Sequence, residues 1–399
     1  MRIILIHNIY QQAGGEELVF QTEGDLLREQ GHHIDSLVFD NKSLNNSFAK
    51  FLSGIRVIYN PTSAKKLRKK IEAFKPDLIH VHNFFPLASP SIFFVAKKYR
   101  IPVVVTLHNY RLICPSASLF YDHSIYERSI NSPFPLDAIL KGVYRNSRLQ
   151  TAAMVMATRF HNLIGTWKYK VDKFIVLTEF ARTKFTNSIL RTASEAIVVK
   201  PNFVVDNGPG EMHRENFFVY IGRLSVEKGV ETLLQSLTIH RYNLVIIGDG
   251  LLRDKVENFA KSNRNLSYLG QQDKDVIMRH LKKCKALILP SNWYEGFPMT
   301  ILEAFSASTP VIASYLGAMT EVVQDNFNGL HFEAGNANDL THKIRLLESN
   351  VSLAMELSEN ARTTYLNRYT PEKNYKLLFD IYNQLLHSRN ESRYDQESN

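Results

Sequence analysis

Short apolar runs alternate with segments of helical periodicity along most of the first half of the chain. Leu18, Phe20, Leu26 and Leu27 recur at broadly helical spacing until Gly31 ends the pattern. The runs that predict buried strands lie at 3–6, 34–39, 77–82, 103–108, 173–178 and 196–200. Strands that alternate with helices in this way predict an α/β fold with a doubly wound parallel sheet.

The same alternation starts again after Asn207-Gly208-Pro209-Gly210, which has the composition of a linker. The strand-like runs of this second half lie at 217–220, 244–247, 266–269, 286–289 and 310–313. A chain of 399 residues also fits two domains. The sequence therefore predicts two Rossmann-like domains, residues 1–205 and 206–370.

Two regions depart from this alternation. Residues 111–169 are irregular, with only a weak helical pattern near 137–162, and an excursion of that length is expected to be functional or mobile. Near the end, a helical segment at 371–387 is expected to pack back on the first domain. Residues 388–399 are polar and predict a disordered tail.

The net charge of +9 is concentrated in the first half of the chain. Residues 1–200 carry 27 Lys and Arg against 15 Asp and Glu, which gives +12, whereas residues 201–399 carry 21 against 24, which gives −3. One basic cluster spans Lys65–Lys70, and another lies between Lys141 and Lys173. Such clusters suit nucleic acid, anionic lipid or a phosphorylated substrate, although solvated helix faces also carry them.

Composition also narrows the cellular setting. No apolar run approaches the ~18 residues of a membrane span, and Cys114 and Cys284 are too few for a disulfide framework or a cysteine-rich metal site. These features favour a cytoplasmic protein without a metal centre. The basic half leaves peripheral binding to the inner face of the plasma membrane open.

The segment 291–304 carries the strongest candidate chemistry. It follows an apolar strand-like run, and Pro298 precedes a helical pattern. Glu295 lies in the turn and Glu303 in the helix, and eight helical residues rise about 12 Å, so the two carboxylates suit two ends of one ligand. Free N–H groups at the helix start favour a phosphate between them. Alternatively, both are solvated surface acids.

Other polar residues also follow predicted strands, at the edge where open parallel sheets bind ligands. Arg223 and Lys228 lie in a glycine-bounded turn, 221–229, and can neutralise a diphosphate without metal. His108 follows the strand at 103–108, and Gly14-Gly15 separates the first strand from the first helix.

With these motifs, nearly the whole chain resembles the retaining glycosyltransferases of family 4, which have the GT-B fold of two Rossmann-like domains facing each other across a cleft. Glu295 to Glu303 matches the family's Glu-x(7)-Glu signature, and the turn with Arg223 and Lys228 matches its phosphate-binding turn. Gly14-Gly15 and His108 also match.

The resemblance implies a role for each matched position. Arg223 and Lys228 would hold the donor diphosphate, Glu295 the donor sugar and Glu303 the ribose, while His108 would approach the sugar from the other domain. Arg223, Lys228, Glu295 and His108 are thus the expected catalytic residues. The remaining donor-binding positions that it implies are Gly14, Gly15, Asn202, Gly222, Gly248, Leu269, Gly296, Phe297, Met299 and Thr300.

The resemblance further implies hexosyl or N-acetylhexosaminyl transfer with retention of configuration, without metal or cofactor, from a nucleotide sugar. A UDP-sugar is favoured over GDP-mannose. The acceptor is expected to be a glycan or a lipid-linked glycan of bacterial surface polysaccharide, O-antigen or lipopolysaccharide synthesis. Departure of the diphosphate and attack by the acceptor hydroxyl would occur on the same face, so no residue is assigned as general base.

Other functions remain compatible with the residues. A sugar-nucleotide epimerase of the same fold would need no acceptor. A non-enzymatic nucleic-acid-binding protein would explain the basic half, but not the four charges near the predicted strand ends, so nucleic acid is not the expected partner. A nicotinamide-dependent dehydrogenase would require a spaced glycine fingerprint, which the first βαβ unit lacks.

Overall fold

The computed structural model describes residues 1–9, 14–40, 56–190, 192–211 and 213–397, with only the backbone described from residue 389 onward. The chain divides into two compact units. Unit 1 comprises Met1–Leu119, Tyr126–Pro201 and Asn374–Asn399, and unit 2 comprises Phe120–Ile125 and Asn202–Lys373.

The first part of the chain, up to residue 201, alternates strands and helices. Its strands are β1 (Arg2–Ile9), β2 (His33–Asp40), β3 (Leu78–Val81), β4 (Val103–Leu107), β5 (Phe120–Tyr121), β6 (Ser124–Ile125), β7 (Lys173–Val176) and β8 (Ile197–Val199). Its α-helices are α1 (Gly15–Glu29), α2 (Pro61–Phe74), α3 (Ser91–Lys98), α4 (Leu136–Lys141), α5 (Arg148–Leu163), α6 (Thr166–Lys170) and α7 (Glu179–Thr186).

Six of these strands form the sheet of unit 1 in the order β2-β1-β3-β4-β7-β8. Every pairing is parallel, so the carboxyl ends of the strands share one edge of the sheet. The strand order reverses between β1 and β3, which is where sheets of this type leave a crevice for ligands. His108 directly follows β4 at this edge.

The second part of the chain repeats the architecture in unit 2. Its strands are β9 (Phe218–Ile221), β10 (Leu244–Ile247), β11 (Leu266–Tyr268), β12 (Leu287–Leu289), β13 (Val311–Ser314) and β14 (Gly329–Phe332). Its helices are α8 (Val230–Ile239), α9 (Arg253–Ser262), α10 (Lys274–Lys283), α11 (Met299–Ser306), α12 (Met319–Val322), α13 (Ala337–Ser349) and α14 (Val351–Arg368). The last helix of the chain is α15 (Pro371–Glu397).

The sheet of unit 2 has the order β11-β10-β9-β12-β13-β14 and is also parallel throughout. Two groups of fully buried apolar side chains pack against it, one around Ile301 and Phe305, the other around Leu233 and Ile344. The strand order reverses at β9, so the turns that follow β9, β10 and β12 are neighbours. The two sheets confirm the predicted α/β class with two Rossmann-like parallel sheets.

Helix α15 packs on the sheet of unit 1 through Leu378, Tyr382 and Leu385. It continues to Glu397, whereas the sequence predicts a disordered tail from residue 388. The prediction relied on the scarcity of apolar residues, which disfavours tertiary packing. The segment contains neither proline nor glycine, so nothing local ends the helix.

The excursion between β4 and β7 contains the helices α4, α5 and α6 and the small antiparallel hairpin β5–β6. Within the residues that the structure describes, no helix combines the length and the hydrophobicity that a bilayer span requires.

Candidate active site

The segment 291–304 forms the turn between β12 and α11 in unit 2. Helix α11 starts after Pro298, whose fixed backbone suits a helix start and whose missing N–H costs no hydrogen bond there. Glu295 precedes the helix and is only 4 % exposed. The turn therefore holds a carboxylate inside the protein, and this requires nearby compensating groups.

Lys228 and Ser291 supply that compensation. The Lys228 ammonium lies 2.7 and 2.9 Å from the two carboxylate oxygens of Glu295, and the Ser291 hydroxyl donates to Oε1 over 2.6 Å. Burial alone raises the pKa of Glu295, but the Lys228 charge and these hydrogen bonds outweigh it, so the net pKa is lowered. Glu295 is thus an ionised acceptor, and Lys228 keeps one of its three N–H donors for another partner.

Close contact between two turns fixes this pair. The backbone N–H of Asn292 donates to the Glu227 carbonyl over 2.8 Å, which joins the turn after β12 to the turn after β9. Gly229 has a φ of +69°, and a Cβ at this position would lie 1.7 Å from the Pro290 carbonyl oxygen. Only glycine permits this approach, and it brings Lys228 to Glu295.

Arg223 lies in the same turn as Lys228 and is exposed. The Tyr220 hydroxyl donates to the Arg223 carbonyl over 2.7 Å and fixes the backbone there. Gly222 and Gly248 lie in neighbouring turns, and a Cβ on Gly248 would be 1.9 Å from the Gly222 carbonyl oxygen. The edge therefore presents a guanidinium beside tightly packed glycine backbone.

Glu303 lies in the second turn of α11 and is only 9 % exposed. Burial raises its pKa, and the charge of Lys274 opposes this effect only in part. Glu303 has a different environment from Glu295, since no ion pair in the described structure neutralises its carboxylate. A buried carboxyl that retains free acceptors suits a ligand with hydroxyl groups.

The remaining predicted positions of unit 2 lie near the start of α11, in the turns after the neighbouring strands, and at Asn202. Gly296, Phe297, Met299 and Thr300 are partly exposed and lie around the start of α11. A second set follows the neighbouring strands: the Gly248 amide donates to the Gly270 carbonyl over 2.8 Å, and Leu269 is 37 % exposed. Asn202 is buried, and its Oδ1 has no hydrogen-bond partner among the described residues.

In unit 1, His108 and the first turn of α1 lie at the same sheet edge. The side-chain amide of Asn109, next to His108, donates to the Glu16 carboxylate over 3.0 Å. Gly14 caps α1 in an extended conformation, and both Gly14 and Gly15 are exposed. The structure thus brings the predicted glycine pair and the predicted histidine to one edge.

A buried polar network extends inward from His108. Its Nε2 lies 3.2 Å from Nδ1 of His82, and Nε2 of His82 lies 3.1 Å from the Glu23 carboxylate. The carboxylate favours a proton on Nε2 of His82, which makes Nδ1 of His82 an acceptor for His108. Burial and the nearby His82 lower the pKa of His108 well below its usual value, so its imidazole is neutral.

The same network contains three groups that could hold a metal, since ligand atoms of Glu23, His80 and His82 lie within 4.8 Å of one another. Their surroundings do not fit an ion. The Lys200 ammonium lies 2.8 Å from the Glu23 carboxylate, and both nitrogens of His80 contact hydroxyls, those of Tyr382 and Thr106. A buried ammonium already provides the positive charge that the carboxylate requires.

The sequence does not predict the contacts of Ser291, Glu23 and Lys200. Ser291 lies within the segment 291–304, and its spacing of four residues from Glu295 is the available signal. Glu23 and Lys200 are 177 residues apart, so no local pattern connects them.

Two family models match the chain, and they meet at residue 205. The model described as Glycosyltransferase Family 4 matches residues 13–205, and the model described as Glycosyl transferases group 1 matches residues 206–364.

Two proteins with similar sequences are also described as glycosyltransferases. The chain is 28 % identical to an uncharacterized glycosyltransferase of Methanocaldococcus jannaschii, over 96 % of this chain and 99 % of that protein. It is 27 % identical to the poly(ribitol-phosphate) alpha-N-acetylglucosaminyltransferase of Staphylococcus aureus, over 54 % of this chain and 44 % of that protein.

Among solved structures, HepE of Anabaena in complex with UDP and glucose superposes with a TM-score of 0.66 at 17 % identity, covering 95 % of this chain and 98 % of HepE. At this identity the likeness shows the fold. The two family models and the two parallel sheets together show that the chain belongs to the family 4-like glycosyltransferases of the GT-B fold.

Proposed function

We propose that this protein transfers a hexosyl or N-acetylhexosaminyl group from a nucleotide sugar to a hydroxyl of a glycan or lipid-linked acceptor, with retention of configuration. The observation that carries the proposal is the arrangement at the carboxyl edge of unit 2. There Lys228 is held on a buried, ionised Glu295, and Arg223 lies exposed in the same turn.

Two cations near a helix start suit a diphosphate leaving group. Arg223 presents a planar fork of donors, and Lys228 retains a donor beyond the two that Glu295 accepts. Preorganised cations stabilise charge that develops on the departing phosphate without a metal ion. Metal independence follows from this arrangement as part of the proposal.

The two carboxyls serve different parts of the donor. Glu303 is buried and has a raised pKa, so hydrogen bonds from the ribose hydroxyls would stabilise its ionised form. Glu295, with the backbone amides near Gly296 and Phe297, would bind hydroxyls of the transferred sugar. His108 is neutral, and its Nδ1 is free to accept from a sugar hydroxyl when Nε2 donates to His82.

Glu295 is poorly suited to act as general base. Both of its oxygens accept from Lys228, one also accepts from Ser291, and its pKa is lowered. A front-face reaction needs no such base, because an oxygen of the departing phosphate can take the proton of the attacking hydroxyl. Catalysis then depends on positioning and on charge stabilisation.

A UDP-sugar is the favoured donor, with GDP-mannose as the second candidate. HepE, which shares the fold, was solved with UDP and glucose. The Staphylococcus aureus relative is named for N-acetylglucosaminyl transfer to poly(ribitol phosphate). The Staphylococcus aureus relative supports a polymeric acceptor. The proposal is that the acceptor belongs to bacterial surface polysaccharide assembly and that the protein acts in the cytoplasm at the inner face of the plasma membrane.

The test is incubation with radiolabelled UDP-sugars, with and without a bacterial lipid extract. The proposal predicts label in the lipid or glycan fraction and NMR signals of a product with the anomeric configuration of the donor. Isomerisation of the donor sugar without any acceptor would instead identify an epimerase. Transfer with inverted configuration would overturn the proposed mechanism.

A further inference from the structure

Helix α5 exposes an unusual number of large apolar side chains for a surface helix. Its buried residues include four with polar side chains, Thr151, Thr158, His161 and Asn162, beside Met154, Val155 and Ala157. Beyond Arg148 and Gln150 in the first turn, its exposed residues are large and apolar: Leu149 is 75 % exposed, Met156 52 %, Phe160 45 % and Leu163 76 %. These four lie on one side of the helix, because their spacings of seven, four and three residues match the helical repeat.

Hydrogen bonds fix α5 in this orientation. The His161 ring lies between the Thr166 hydroxyl, at 2.9 Å, and the Ile58 carbonyl, at 2.8 Å. The Asn162 amide donates to the Ile189 carbonyl over 2.8 Å. Rotation of α5 to bury its apolar side would break these bonds and leave polar groups unpaired, so the apolar side stays outward.

The apolar surface extends beyond α5. Phe134 and the α4 residues Leu136 and Leu140 are each at least half exposed. Ile164 and Tyr169, at the end of α5 and in α6, are 42 % and 61 % exposed. We name these nine side chains, which three consecutive helices and their flanking residues carry, the α4–α6 surface: Phe134, Leu136, Leu140, Leu149, Met156, Phe160, Leu163, Ile164 and Tyr169. Exposed apolar side chains that are grouped in this way are typical of an interaction site.

The charge of the same segment indicates the kind of partner. Residues 134–170 contain six Lys and Arg and one acid, Asp137, which is paired with Lys141. Arg145, Arg148 and Lys168 are exposed. A two-fold contact with a second copy of this chain would place these cations against themselves, which is unfavourable. Apolar and aromatic side chains bordered by cations match instead the interface of a bilayer that contains anionic lipids.

We propose that the α4–α6 surface docks unit 1 on an anionic lipid bilayer, with α5 lying in the plane of the interface. Helix α5 is also hydrogen-bonded to the segment that follows His108, a predicted catalytic residue. The Arg159 guanidinium of α5 donates to the Ser129 carbonyl over 2.7 Å and to the Ile113 carbonyl over 3.4 Å, in the segment that follows His108. The inference rests on the proposed lipid-linked acceptor, which docking would present to unit 1.

The test is sedimentation of the full chain with vesicles of phosphatidylcholine alone and with added phosphatidylglycerol. The proposal predicts binding to the anionic vesicles that weakens with salt. Replacing Arg145, Arg148 and Lys168 by Gln should weaken this binding about 100-fold, since each cation near such a surface contributes about fivefold. The matched control, Lys65→Gln with Arg68→Gln and Lys69→Gln on α2, removes the same charge and should retain binding.

A second pair of variants tests the apolar component. Leu149→Gln with Phe160→Gln and Leu163→Gln should weaken binding at least about tenfold, because less apolar area enters the bilayer. The control replaces three exposed apolar residues of α14, Val351, Met355 and Leu366, by Gln and should bind like the wild type.

Three outcomes would overturn the inference. One is that the variants of the α4–α6 surface bind vesicles as well as their control variants do. Another is vesicle binding that does not depend on lipid charge, and the third is a dimer in light scattering that the triple variant of Leu149, Phe160 and Leu163 abolishes. The proposed glycosyl transfer is measured separately, as nucleotide-sugar binding in the absence of lipid. Both triple variants of the α4–α6 surface should leave nucleotide-sugar binding unchanged, so failure of the docking inference and failure of the proposed function give different results.

Discussion

Replacing Lys228 by Ala should destabilise unit 2 as well as lower turnover. The change leaves the Glu295 carboxylate, 4 % exposed, without its counter-charge. Removing one partner of a buried ion pair costs about 3–5 kcal/mol. The Lys228 side chain is 22 % exposed, so the lower figure, about 3 kcal/mol, applies. For a unit of this size that corresponds to a fall of about 6–12 °C in melting temperature.

The dependence of this loss on pH follows from the pKa of Glu295. In the wild type that pKa is lowered, so the stabilisation is present above the ordinary value of 4.5 and is lost as the pH falls through the lowered pKa. Without Lys228, burial raises the pKa, and the variant loses stability as the pH rises through the raised value. The variant should therefore fall further below the wild type at about pH 7 than at about pH 4.

Differential scanning calorimetry measures this difference, and a double variant separates folding from catalysis. Lys228→Met with Glu295→Gln removes both charges and should recover most of the melting temperature. Its turnover should nevertheless stay about 100-fold or more below that of the wild type. A melting temperature for Lys228→Ala within about 2 °C of the wild type at neutral pH would show that Lys228 does not stabilise the buried Glu295 carboxylate, as would equal losses at both pH values.

Three further predictions concern other charged residues. Arg223→Ala should lower turnover about 100-fold with little change in melting temperature, because Arg223 is exposed, whereas Arg264→Ala, at an exposed arginine before β11, should leave turnover unchanged. Glu303→Gln should weaken UDP-sugar binding in calorimetry about tenfold or more. It should melt no lower than the wild type at about pH 8, because the raised pKa makes the ionised carboxyl costly once the pH exceeds it. Lys200→Met should lower the free energy of unfolding of unit 1 by about 3–5 kcal/mol in denaturant unfolding, because Lys200 and Glu23 form an ion pair in which each side chain is only 1 % exposed. Addition of Glu23→Gln should restore most of this stability, and a double variant as unstable as the single one would contradict the explanation.

The sequence predicted both sheets because their strands are buried on both faces and therefore appear as uninterrupted apolar runs. Val103–Leu107 and Leu287–Leu289 are examples, and each is followed by polar residues at the carboxyl edge. Because parallel strands share that edge, the sequence also predicted that Arg223, Lys228 and Glu295 belong to one region. It did not predict the direct Lys228–Glu295 ion pair, which depends on the close approach of two turns at Gly229.

The excursion after β4 was the least predictable region. Helix α5 has apolar residues on both its buried and its exposed side, so apolar periodicity alone does not identify which side faces the core. The Glu23–Lys200 pair was equally hidden, because only the folded sheet brings together residues 177 positions apart. Long-range polar contacts and exposed apolar side chains are thus what local sequence patterns do not predict in this chain.

A thermal-shift panel of nucleotides and nucleotide sugars measures whether the carboxyl edge of unit 2 binds a nucleotide sugar. A ligand at about 100 times its Kd adds about 2.7 kcal/mol, or about 5–11 °C for a unit of this size. We expect such a shift with UDP and a UDP-sugar for the wild type, and a much smaller one for Arg223→Ala and Glu303→Gln. The absence of a shift with every nucleotide, or the same shift in both variants as in the wild type, would contradict this expectation.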